Sequence, residues 1–127
     1  MADGDSVLDI EALVRANDDF RREVRTTEHS QIVLMTIPPE GEIGDEVHDG
    51  IDQTLVFEEG EAEAVIAGES FPVPAGQVVI VPAGTRHNFI NRGSGPLRLW
   101  TVYAPPEHAP GTVHHTKAEA DAAEEAH

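Results

Sequence analysis

GQVVIVPAGTRHNFIN, residues 76–91, decides how this chain is read. Val78, Val79, Ile80 and Val81 form a short apolar run of strand type, and Pro82-Ala83-Gly84 stops it in a turn. The chain then enters a second run with His87 at its head. Turn residues fix where a strand begins, so they also fix which way its first side chain points. With Gly76 and Asn91 included, the spacing is Gly, five residues, Pro-x-Gly, two residues, His, three residues, Asn.

A second group of donors lies upstream. Glu46 and His48 are two positions apart, and the pattern predicts a strand over 45–49 that turns both side chains to one face. Gln53 follows the short connection 49–52 and opens a further strand over 53–58, with Gly60 seven residues beyond it. Glu46, His48, Gln53 and His87 are expected to converge on one ion. That is a metal site built without cysteine, of which the chain has none. Imidazole suits Zn, Ni, Cu or Fe. If all four residues bind, their summed charge is −1.

The two segments resemble the paired motifs of the cupin superfamily, and the short spacer from Gly60 to Gly76 is similar to that of its compact, single-domain, conserved-barrel members. The second motif is complete. In the first, His48 and Gly60 match, whereas Glu46 stands where a histidine is usual and Gln53 where a glutamate is usual. The carboxylate and the neutral ligand have in effect exchanged places, which keeps the charge of the usual three-His, one-Glu set. The resemblance implies an all-β, cupin-like jelly-roll β-barrel and one divalent metal (Zn, Ni, Mn or Fe). The activity implied is that of a metal-dependent enzyme on a small molecule, of isomerase/epimerase or dioxygenase type. A non-catalytic ligand-binding module is the alternative. Glu46 as a base and Tyr103 as a hydroxyl at the barrel mouth are the catalytic candidates.

Composition agrees with one domain over 1–127, with barrel strands over about 20–105 and a tail over 106–127. Twenty-four acidic residues face eight basic ones, Lys117 being the only lysine, for a net charge of −16. Phosphate contacts need Lys and Arg, so this balance argues against nucleic acid and anionic membrane. No apolar run reaches membrane-spanning length, and the polar start (MADGDSVLD) is unlike a signal peptide, so a cytoplasmic location is expected. Arg86, Arg92 and Arg98 are the few candidates for a phosphate group, and Arg86 alternates away from His87.

Residues 1–8 read as disordered, and Asp9 to Ala16 as a short helix ended by Asn17. Strands are expected over 20–26, 31–37, 62–67, 71–73, 77–82, 86–91 and 96–103, with Gly or Pro between most of them. Gln31–Ile37 is apolar on both parities, so one face is expected to be bare unless a second subunit or the N-terminal helix covers it. A homodimer burying Val33, Met35 and Ile37 is the expected outcome. Thr116 and Glu119 form a capping box for a helix over 117–125 with no apolar stripe. His29, His108, His114, His115 and His127 read as surface residues. Asp52 is a candidate partner for a metal-bound imidazole. Leu55, Phe57 and Phe89 follow the ligands by parity as packing.

Overall fold

The computed structural model describes residues 6–125. His127 and the first part of the stretch read as disordered lie outside them. The elements are α1 (Ile10–Ala16), β1 (Arg21–Thr26), β2 (Gln31–Ile37), β3 (Asp52–Glu59), β4 (Glu61–Ile66), β5 (Glu69–Pro74), β6 (Val78–Val81), β7 (His87–Asn91), β8 (Leu97–Ala104), β9 (Val113–His114) and α2 (Lys117–Glu125). Two antiparallel sheets result, one in the order β6-β3-β8-β2-β1-β9 and one in the order β5-β4-β7. This is a jelly-roll arrangement with two short helices. The sheets do not close into the continuous barrel expected from the sequence, because among the described residues no ladder joins them along their edges.

Alternation along β2, β3, β7 and β8 sends one set of side chains between the sheets. Val33, Met35, Ile37, Leu55, Phe57, Phe89, Leu97 and Leu99 are all at most 1% exposed in this core. The side chains expected to be bare on β2 are thus the innermost ones, which removes the ground for a homodimer through Val33, Met35 and Ile37. On the opposite face α1 packs against β2 and β8, where Val14 and Leu34 are buried outside the main cluster. The helix starts where Asp9 accepts from the Ala12 amide, and it ends where Asn17 turns its amide to the Asp19 carbonyl and the Thr36 hydroxyl.

Two motif residues are explained by backbone architecture. Gly60 has φ +95, and a Cβ there would lie 2.7 Å from the Pro96 carbonyl oxygen, so only glycine lets β3 turn into β4 under the 92–96 connection. Asn91 donates to the Ile37 and Gly95 carbonyls and accepts from the Gly93 amide. It staples the end of β2 to the turn before β8.

Three local expectations are corrected. Glu46 and His48 do not lie on a strand: Glu46 makes an isolated bridge to His87, and the Gly- and Asp-containing segment around it runs beside β7 without regular pairing. The chain does not leave the sheets after Pro106, because β9 returns to pair with β1. Helix α2 is not wholly solvated, since Ala120 is 3% exposed and joins the core.

Candidate metal centre

His87 is held on three sides. Its backbone exchanges both hydrogen bonds with Glu46, N to O at 2.9 Å and O to N at 2.8 Å. This is the close pairing of an antiparallel ladder and sets the two side chains next to one another. Its ring Nδ1 lies 2.9 Å from the Thr85 carbonyl, which can only accept, so Nδ1–H donates there and Nε2 is turned to the far side of the ring. Gly84, at φ +79, donates its amide to the His48 carbonyl at 3.0 Å. The turn of the second motif therefore ties down the loop of the first.

His48 is oriented differently. Its Nδ1 is 3.1 Å from Glu107 Oε2, and its Nε2 is 3.8 Å from Glu46 Oε1. The His48 and His87 rings are 5.4 Å apart, and Glu46, His48 and His87 each offer a ligand atom within 4.8 Å of the others. The Glu107 contact first, and Glu46 second, raise the His48 pKa to about 9, while the His48 contact holds the Glu107 carboxyl below its ordinary value. Burial opposes both shifts.

Gln53 is 2% exposed and turns its Nε2 toward the Thr101 hydroxyl at 3.0 Å. Thr101 spends its own proton on the Thr54 carbonyl, 2.9 Å away, so it can only accept from Gln53. The amide is fixed with its carbonyl oxygen as the free end. Asp52 does not assist a histidine: its carboxylate accepts the Ala83 amide at 2.9 Å and caps the turn before His87. Tyr103 is buried, with its ring 5.7 Å from His48 and 5.2 Å from His108. Burial pushes its hydroxyl pKa up, so it stays protonated. It sits inside the fold rather than at a mouth.

Residues the sequence reading passed over complete the surroundings. Gln31 is 1% exposed, and its Oε1 accepts from the amides of Glu107 and His108 at 3.2 and 3.0 Å. Its Nε2 donates to the His108 carbonyl at 2.6 Å. One buried amide thus clamps the tail and delivers Glu107 to His48 and His108 to Tyr103. A Gln heading a strand that is apolar except for Thr36 was the available signal. His108 is a correction to its surface reading: burial first, then Arg21, lowers its pKa to about 4, so its ring is neutral. His114 is half-buried with Nδ1 3.4 Å from Arg21 Nη1, while His29 and His115 are exposed as expected.

His48 Nε2, His87 Nε2 and Gln53 Oε1 are buried and have no hydrogen-bond partner. Buried polar atoms are seldom left so, and each orphan costs on the order of 1–3 kcal/mol. Both imidazoles have their outer nitrogens held by an acceptor, the orientation that metal-bound histidines need. With the Glu46 carboxylate, the donors are nitrogen and oxygen, which fits a transition metal such as Zn, Ni, Mn or Fe. A groove of about 580 Å³ along β4 and β5, lined by Phe71 and Arg92, shares no residue with this cluster.

Residues 33–103 match the family described as Cupin domain. The uncharacterized protein YrkC of Bacillus subtilis (strain 168) is 41% identical over 126 residues, covering 94% of this chain and 67% of YrkC. The uncharacterized protein L612 of Acanthamoeba polyphaga mimivirus is 32% identical over 111 residues, covering 84% of this chain and 69% of L612. The crystal structure of BH2720 from Bacillus halodurans aligns with a TM-score of 0.90 at 40% identity, over 91% of this chain and 92% of that one. Among the described residues, no helix is long and apolar enough to cross a membrane.

Proposed function

The chain belongs to the cupin domain family, and on that premise we propose that it is a metal-dependent enzyme acting on a small molecule. Glu46, His48, Gln53 and His87 hold one divalent transition metal. The observation that carries this reading is the set of three buried, unpartnered ligand atoms beside one carboxylate. A bound divalent ion supplies Lewis acidity to a substrate oxygen, or, for Fe, a site for oxygen chemistry.

The chain's own residues do the rest. Glu107 and the Thr85 carbonyl hold the two imidazoles by their outer nitrogens, and Thr101 holds the Gln53 amide. Tyr103 keeps a neutral hydroxyl among them. Leu55, Phe57 and Phe89 wall the interior with apolar groups that exclude water, and this strengthens every charge interaction inside.

Metal analysis after incubation with Zn, Ni, Mn and Fe salts tests the site. About one ion per chain is expected, with none retained by the double variant His48→Ala/His87→Ala. A wild-type protein that stays metal-free would reject the reading. Oxygen uptake by the Fe form with a panel of small substrates separates the two reaction types, since isomerisation consumes no oxygen.

A further inference from the structure

Arg21 is the buried charge that the metal site does not use. It is 3% exposed, and its Nε is buried without a hydrogen-bond partner. Its guanidinium stacks on the Phe20 ring at 5.3 Å, meets His114 Nδ1 at 3.4 Å and lies beside the Tyr103 hydroxyl. No carboxylate of the described residues pairs with it: Asp18, Asp19, Asp45, Glu59 and Glu63 serve Arg22, Arg86, Arg92 and Arg98. A buried guanidinium is costly unless an anion meets it.

The Tyr103 ring beside Arg21 is 5.7 Å from His48 and 5.2 Å from His108, and His48 is in turn flanked by Glu46 and Glu107, so the three charges border one interior. With a divalent ion bound there, His48 enters as a neutral ligand. The ion and Arg21 then bring three positive charges against the two of Glu46 and Glu107, so the interior carries one uncompensated positive charge. A cavity of about 130 Å³ is lined by both Arg21 and Glu46, together with Lys117. Its rim carries the carboxylates of Asp45, Asp121 and Glu124, which are exposed and screened by solvent. The volume suits about four water-sized groups.

We propose that Arg21 anchors a small carboxylate ligand, a monoanion of a few heavy atoms, beside the metal. The planar fork of a guanidinium fits a carboxylate in two-point fashion, and its Nε proton is the donor left free. This rests on the metal reading above and adds the charge class of what binds next to it.

The test uses the full chain loaded with Co(II), whose visible spectrum reports changes at the metal. Titration with acetate should shift the spectrum, and titration with neutral acetamide should not. Arg21→Gln should keep one Co(II) per chain and weaken acetate by roughly ten- to a hundredfold, the worth of a charge-assisted hydrogen bond. Arg21→Lys should retain part of the affinity, and it stands in for Arg21→Gln if that variant fails to fold. An Arg21 variant that holds the metal and binds acetate as tightly as wild type overturns the proposal, as does a loaded wild type indifferent to acetate. A chain that takes up no Co(II) overturns instead the reading on which the proposal rests.

Discussion

The two halves of the candidate centre are built by different means. His87 sits on a regular strand, and its ring is held by a backbone carbonyl two residues away. His48 sits in a loop, and its ring is held by Glu107, a side chain from the tail that is itself positioned by Gln31. One half is fixed by local backbone geometry and the other by a chain of three side chains. A backbone-held ligand tolerates substitution around it. A side-chain relay fails wherever any link is cut.

The largest effect should come from the backbone-held side. His87→Ala removes a ligand that nothing replaces and should abolish measurable metal retention in a dialysis and metal-analysis experiment. The fold should persist by circular dichroism, because the apolar core does not run through the ion. Glu107→Gln leaves every ligand in place yet should weaken metal binding by about 10- to 100-fold, the usual effect of losing the partner of a bound imidazole. If Glu107→Gln binds as wild type does while His48→Ala does not, the relay is only decorative and the contrast between the halves collapses.

A pH titration sharpens the same contrast. In the metal-free protein the folded pKa of His48 is about 9, above its ordinary 6.5. A raised histidine pKa stabilises the fold fully below the unfolded value and loses that contribution as pH rises through the folded one. Thermal stability of the metal-free protein should therefore decline between about pH 6.5 and 9, by on the order of 1–3 kcal/mol. Metal affinity should climb over the same range as the competing proton leaves. Glu107→Gln should flatten both curves. Unaltered curves in that variant would place the proton elsewhere.

The smallest effect belongs to Gln53. Thr101→Val removes the acceptor that fixes the amide, and the free carbonyl then has no preferred direction. A loss of a few-fold in metal affinity is expected, well below that of Glu107→Gln. An effect as large as His87→Ala would instead mean that Thr101 holds up β8 itself.

The difference between the halves also explains what could be read in the sequence. The strand, the Pro-Ala-Gly turn and His87 are local, and local chemistry survives in a linear string. So do the capping box of α2 and the strands β2 and β8, which fall within one residue of expectation. The Glu46–His48 segment misled because residues two apart share a face only on a strand. Here they are brought together by pairing with β7 and by the Gly84 amide, both long-range. That the two sheets stay open, against the barrel expected, was equally invisible, since closure depends on edges meeting. Glu107 and His108 were hidden by their Pro-rich surroundings, which look like a solvated tail. Their placement against the interior is dictated by Gln31, 77 positions from His108.

The match to the shared domain begins at residue 33 and stops at residue 103. Arg21 precedes that window and Glu107 follows it, and the β1–β9 pairing brings the two flanks together on the edge of the larger sheet. Two chains could therefore agree at every position of the common domain and still differ in how tightly they hold an ion and in what they admit beside it. Relatives are better sorted by the residues at positions 21, 31 and 107 than by how well they score over the region they share. The flanks outside the shared domain thus carry side chains that face the candidate centre as directly as those within it.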